Sequence, residues 1–215
     1  AIPSYELTVE FWLPFDLMLD LKADSWKIKS QKRGRSRTSV PLGSKHKVVV
    51  RSFDRYDVKS DYNNLVKTWN KLNSYSITKS DFNIVTTKIV YLSCWAKLES
   101  LLQASDPYKL GMAIACSLNS EKQKKDKLIE KILDSGIPIV VWSRDRNLEN
   151  LEKNMCSLFN LAHLTDDSHL LEKISNIRKF ADDQQPLGYH LGVWCDVPQK
   201  ITEIQKFRKQ ARLEA

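Results

Sequence analysis

Three short apolar runs, each ending in Trp, Arg or Asp, constrain this chain more than any other feature. They are Lys47-Val48-Val49-Val50-Arg51-Ser52-Phe53-Asp54-Arg55, Ile137-Pro138-Ile139-Val140-Val141-Trp142-Ser143-Arg144-Asp145 and His190-Leu191-Gly192-Val193-Trp194-Cys195-Asp196-Val197-Pro198. A run that is apolar at nearly every position and rich in β-branched residues reads as a strand buried on both faces, the habit of parallel sheets. Such strands shed their polar residues at an end, and open α/β sheets bind ligands in the crevice at their strand ends. The runs therefore locate a candidate site before anything is known of its chemistry.

Helical periodicity fills the spaces between the runs. The spacing predicts a strand over Tyr5–Leu13 closed by Pro14, a short helix over Phe15–Leu21, and a helix over Tyr62–Leu72 with Leu65, Val66, Trp69 and Leu72 on one stripe. Asp81–Leu92 fits either period. Ala96–Gln103 reads as helix and Leu110–Leu118 as a core strand. Ser120–Leu133 is an amphipathic helix followed by Gly136 as its cap, after which a strand starts at Ile137. Further helices are expected over Leu148–Leu161, Leu170–Phe180 and Ile201–Leu213, with the last strand over Gly188–Cys195. Strands and helices alternate, which predicts an α/β fold. Its core is a central, mostly parallel sheet of about five strands with helices on both faces. Residues 1–215 are read as a single domain, the C-terminal fragment of a longer protein.

Composition narrows the function classes. With 42% hydrophobic residues the chain can fill a substantial core, and no apolar run reaches the length of a membrane span. Cys94, Cys116, Cys156 and Cys195 are far apart and form no Cys-x-x-Cys pair. They read as buried free thiols in a reducing cytoplasm, without a zinc site. The net charge of +8 is concentrated in one stretch. Residues 27–46 form a basic loop carrying Lys27, Lys29, Lys32, Arg33, Arg35 and Arg37. No phosphate-binding Gly-rich loop occurs, which argues against nucleotide hydrolysis or dinucleotide binding, and no cofactor is implied.

The three strand-end motifs, in their order and spacing, resemble the C-terminal domain of vWA-MoxR-associated proteins. Leu13-Pro14, Ser25-Trp26 before the basic loop, and Trp69 also fit, so the likeness covers nearly the whole chain. The resemblance implies a module of bacterial conflict, or defence, systems. It would link an effector such as a peptidase to partner NTPase components, a MoxR-type ATPase and a von Willebrand A protein. It implies no catalytic activity of the domain's own. Two departures stand out. Cys195 precedes Asp196 where the family commonly has an acid, and the basic loop is longer and more charged.

The candidate residues each support a functional and a structural reading. Arg51, Asp54, Arg55, Trp142, Arg144, Trp194 and Asp196 form either a strand-end pocket with an anion clamp or an internal charge network that locks the sheet edge. An acid-based hydrolase built on Asp54, Asp196 and Arg51, with Asp145 as a further acid, is the enzymatic alternative. Cysteine catalysis by Cys195 with His190 is disfavoured, because five residues of extended strand hold them roughly 16 Å apart. The basic residues Lys27, Lys29, Lys32, Arg33, Arg35 and Arg37 suit an acidic partner or, less favourably, nucleic acid.

Overall fold

The computed structural model describes residues 7–20, 22–30, 38–56, 58–75, 89–94, 109–115, 122–159 and 167–200. The described strands of the main sheet are β1 (Thr8–Leu13), β4 (Lys47–Ser52), β5 (Ile89–Leu92), β6 (Gly111–Ile114), β7 (Ile139–Ser143) and β8 (Leu191–Cys195). They form one six-stranded sheet in the order β1-β4-β8-β7-β6-β5. Every neighbouring pair is parallel except β7 and β8, which run antiparallel with Val141 opposite Val193 and Trp142 opposite Gly192. The α/β class and the mostly parallel sheet expected from the sequence are present.

Direction is the point on which the sheet turns. From β7 the chain passes through α5 (Leu151–Cys156), α6 (Asp167–Lys179) and a helical turn, α7 (Leu187–His190). It returns to β8 on the same edge it left, where Arg144 N donates to His190 O at 2.9 Å. The strand ends of β1, β4 and β8 therefore lie at one edge, together with the start of β7. The end of β7 lies at the opposite edge.

Alternate residues of each buried strand face two separate cores. Val49, Ala113, Ile139, Val141 and Val193 pack with Leu151 and Met155 of α5, with Leu170, Leu171 and Ile174 of α6, and with Trp69 and Leu72 of α3 (Lys59–Tyr75). Val50, Met112, Ile114, Val140, Trp142 and Trp194 face the other way. They pack with Met18 of α1 (Phe15–Met18) and with Leu128, Ile129, Ile132 and Leu133 of α4 (Lys122–Asp134). Two-sided burial is why these strands read as continuous apolar runs.

The expected helix-Gly-strand unit forms with Gly136 at φ +65°, and a side chain there would lie 2.3 Å from Asn64 O of α3. Only glycine tolerates both demands without strain. Within residues 27–46, expected as a basic loop, the described residues form regular elements instead. Strands β2 (Lys27–Ser30) and β3 (Thr38–Pro41) pair antiparallel in a second, two-stranded sheet, followed by α2 (Leu42–Lys45). Pairing Ile28 with Val40 supplies the apolar contact that polar composition hides. Cys94 and Cys156 are exposed and Cys195 is buried, which corrects the expectation of uniformly buried thiols.

Candidate functional site

At the edge where β4 and β8 end, the chain buries an ion pair completely. Arg55 and Asp196 are both 0% exposed, with Arg55 Nη1 donating to Asp196 Oδ2 at 3.0 Å. Trp194 Nε1 donates to the same oxygen at 2.7 Å, and Ser52 N donates to Oδ1 at 2.8 Å. Arg55 also donates to Ile137 O and Ile132 O, and its guanidinium lies 5.2 Å from the centre of the Trp194 ring. The Asp196 backbone N donates to Pro138 O. One carboxylate and one guanidinium thus tie together the end of β4, the end of β8, the end of α4 and the lead into β7.

Arg51 and Asp54 extend this edge without joining that pair into a common pocket. Arg51 donates to Cys195 O and, at 2.7 Å, to Glu10 Oε1 on β1. Asp54 Oδ2 accepts from Phe15 N at 2.7 Å, satisfying a free N–H in the first turn of α1. Burial drives both members of the central pair toward neutrality. It raises the Asp196 carboxyl above its ordinary range and lowers the Arg55 guanidinium, and each group's attraction for the other opposes the shift.

A second network occupies the opposite edge. Arg144, just past the end of β7, forks both Nη atoms onto the Asp24 carboxylate, with Nη1 to Oδ2 at 2.9 Å. Arg178 of α6 donates to Val48 O at 3.1 Å and Leu191 O at 2.9 Å, with its Nε 3.9 Å from Asp24. Two guanidiniums therefore share one buried acid. Burial and the neighbouring Arg144 charge lower Arg178 to about 10, against the pull of Asp24. Trp142 sits beside this network, its ring laid over Gly192 on the adjacent strand. A Cβ at Gly192 would stand 2.1 Å from Trp142 Cε2.

The seven strand-end residues consequently do not share one crevice. Arg51, Asp54, Arg55, Trp194 and Asp196 lie at one edge, and Trp142 and Arg144 at the other, because β7 runs against β8. Asp145 is at the second edge too, where its Oδ1 accepts from Asn147 N. The acids of the hydrolase alternative are thereby divided. Among the described residues, no group of three or more His, Cys, Asp or Glu could hold a metal ion.

The family model of the vWA-MoxR associated protein C-terminal domain matches residues 1–198. The chain belongs to this family. No curated protein and no solved structure matches it. The family's name associates the domain with von Willebrand A and MoxR proteins. Among the described residues of this VMAP-C domain, no helix is long and apolar enough to cross a membrane.

Beside the second edge of the VMAP-C domain lies a cleft of about 570 Å³, lined by Leu151, Asn154, Ile177, Phe180, Asp183 and Gln185 among others. Neither charge network opens into it. Lys27 is exposed on β2 and Lys29 falls on the same strand, whereas Lys32, Arg33, Arg35 and Arg37 lie outside the described residues.

Sequence reasoning overlooked Glu10, Asp24 and Arg178. Arg178 did leave a signal, since it falls on the stripe of Leu171 and Ile174 in α6, where an Arg must be buried and paired. Asp24 lies in a 3-10 turn with no periodicity to mark it. Glu10 follows the alternation of β1 and reads as an ordinary exposed position.

Proposed function

We propose that this domain is a non-catalytic sensing or relay module of a bacterial conflict-system protein. In this reading it couples a fused effector, such as a peptidase, to a MoxR-type ATPase and a von Willebrand A protein. Family membership supports the association with von Willebrand A and MoxR proteins. The observation that carries the reading is the use made of the strand-end charges. Asp196 has both oxygens engaged by Ser52, Arg55 and Trp194, and Arg51 spans Glu10 and the Cys195 carbonyl. A general acid or a nucleophile must reach substrate, whereas these groups face one another inside the fold. They tie neighbouring strand ends to one another, as suits a body that transmits binding events between attached domains.

The test uses the parent protein with its effector attached. Effector output is measured with and without the MoxR-type ATPase and von Willebrand A protein from the same genome. Coupling of output to these components should disappear when residues 1–215 are deleted. Unchanged coupling in the deletion would refute the relay role. Turnover of a peptide, ester or phosphodiester by the isolated chain, abolished by Arg51→Ala without loss of folding, would favour the hydrolase reading instead.

A further inference from the structure

The cleft beside the second edge is assembled from three stretches of chain. Leu148 and Leu151 at the entry to α5, Ile177 near the end of α6 and Leu187 at the start of α7 give it apolar lining that is continuous with the first core. Local hydrogen bonds pin the segments around it. Asp182 Oδ1 accepts from Gln184 N at 3.0 Å and from Gln185 N at 2.7 Å, and Tyr189 OH donates to Ala181 O at 2.7 Å. On the other side Asn147 N donates to Asp145 Oδ1 at 2.9 Å. Gly188 holds the 182–187 segment close to α6, since a Cβ there would lie 2.3 Å from Ile177 O. The cleft is therefore preformed, and its volume of about 570 Å³ is that of a ligand site.

Its charge is opposite to that of the chain. The net charge is +8, yet the lining carries Glu149 and Asp183 and no Lys, Arg or His. Both acids are exposed, and among the described residues no hydrogen bond or ion pair engages either carboxylate. The buried acids Asp24 and Asp196, by contrast, are taken up by guanidiniums. The side-chain amides of Asn147, Gln184 and Gln185, also in the lining, are likewise without a partner among the described residues. Phe180 lines the same cleft and is 68% exposed, more than any other large apolar side chain among the described residues. Phe180, Ile177 and Gln185 also line a second depression of about 510 Å³, so the two meet as one groove. The second depression adds His169, Glu172 and Lys173, whose ammonium donates to Ser157 O. The first depression is thus the acidic end of the groove.

We propose that this groove docks an extended basic peptide segment of a partner protein. A Lys or Arg of the segment meets Glu149 and Asp183, and an apolar side chain covers Phe180 and Ile177. Complementary charge gives such a contact its orientation and its preference among partners. An exposed aromatic beside apolar lining marks a surface that another chain covers. The free amides supply the donors and acceptors that an extended peptide backbone requires. An acidic peptide or a nucleic acid would set its anions against two unpaired carboxylates. A small amine would engage the acids but leave the amides and the second depression unused. Lys179 holds its ammonium 5.6 Å from the centre of the Phe180 ring without lining either depression, so the segment's cation belongs at the acidic end. The inference rests on the groove alone and does not depend on the relay reading.

The experiment is an amide chemical-shift titration of the isotope-labelled chain with three degenerate heptapeptide mixtures. Each has a central Phe or Leu, flanked by Lys and Arg in the first mixture, Asp and Glu in the second, and Ser and Gln in the third. The basic mixture, added up to about 1 mM, should shift the amides of residues 147–151 and 183–187 saturably, and the acidic mixture should not. The double variant Glu149→Gln, Asp183→Asn should weaken the basic mixture about 5-fold, as two partly screened charge contacts do, and leave the neutral mixture unchanged. Phe180→Ala should weaken the basic and neutral mixtures alike, by about 10-fold. These three positions are exposed, so an unchanged unfolding midpoint verifies that each variant is folded. Absence of shifts at the groove with the basic mixture would overturn the proposal. Equal binding of the acidic mixture would do the same. Equal binding of the neutral mixture, with indifference to the double variant, would mark a purely apolar site instead. Binding of butylammonium as tight as that of the basic mixture would mark a small-amine site and equally sink the peptide assignment.

Discussion

Replacing Asp196 by Ala is predicted to be among the most damaging single changes in the protein. The carboxylate is fully buried and receives Arg55 Nη1 at 3.0 Å, Trp194 Nε1 at 2.7 Å and Ser52 N at 2.8 Å. Its removal leaves a buried guanidinium with only carbonyl partners and two further donors unsatisfied. Breaking a buried pair from one side costs about 3–5 kcal/mol, and each orphaned neutral donor about 1–3 kcal/mol in isolation. These losses overlap, so about 4–6 kcal/mol is expected in total. That is a large share of a typical domain stability of about 5–15 kcal/mol. With a urea slope of about 2–3 kcal/mol/M, the midpoint should fall by roughly 2 M. Asp196→Asn should fare little better, because its amide places N–H groups against Trp194 Nε1 or Ser52 N. Tryptophan fluorescence follows the transition, since Trp194 packs beneath Arg55. The double variant Arg55→Met, Asp196→Leu should recover only the part owed to the unpaired guanidinium, because Trp194 Nε1 and Ser52 N still lack an acceptor. A loss under about 1 kcal/mol for Asp196→Ala, the range of exposed ion pairs, would refute the reasoning. It would mean that water reaches the carboxylate and that the strand end is open.

Other positions test separate parts of the account. Gly192→Ala places a Cβ 2.1 Å from the Trp142 ring and should destabilise by about 3 kcal/mol or more in chemical denaturation, as overpacked cores do. Gly136→Ala should lower stability by at least about 1–2 kcal/mol, from its positive φ and its approach to Asn64 O. Arg144→Ala should loosen the segment around Asp24, seen as faster amide exchange of the Trp26 and Leu42 backbone N–H groups, whereas Arg144→Lys should restore only part of the protection. Among the described cysteines, thiol alkylation at mildly alkaline pH should modify Cys94 first. Cys156 should follow more slowly, because partial burial and Glu152 raise its thiol pKa and reduce the reactive thiolate, and Cys195 should react only on unfolding.

The elements were legible where burial imposes a pattern. The two-sided strands β4, β7 and β8, the amphipathic α4 and its Gly136 cap all stand in the sequence as apolar runs, periodicity and a single glycine. Strand direction was not legible, because a strand buried on both faces reads the same whichever way it runs. That one ambiguity decides the site. Had β7 run parallel to β8, Arg144 and Trp142 would have joined Asp196 at one crevice. Their assignment to the opposite edge follows from α7 delivering the chain to Leu191 beside Ser143. Arg55 and Asp196 were recognisable as charges closing strands, yet their mutual pairing depends on a contact between positions far apart in sequence. Asp24 was invisible for the same reason, since only the fold shows that Arg144 and Arg178 both turn toward it.

The central claim is that these charges tie together a module that acts through its partners. The direct measurement is calorimetric titration of this chain with a MoxR-type ATPase and a von Willebrand A protein from the same genome. The account predicts saturable binding to at least one of the two. Heats indistinguishable from dilution with both would contradict it.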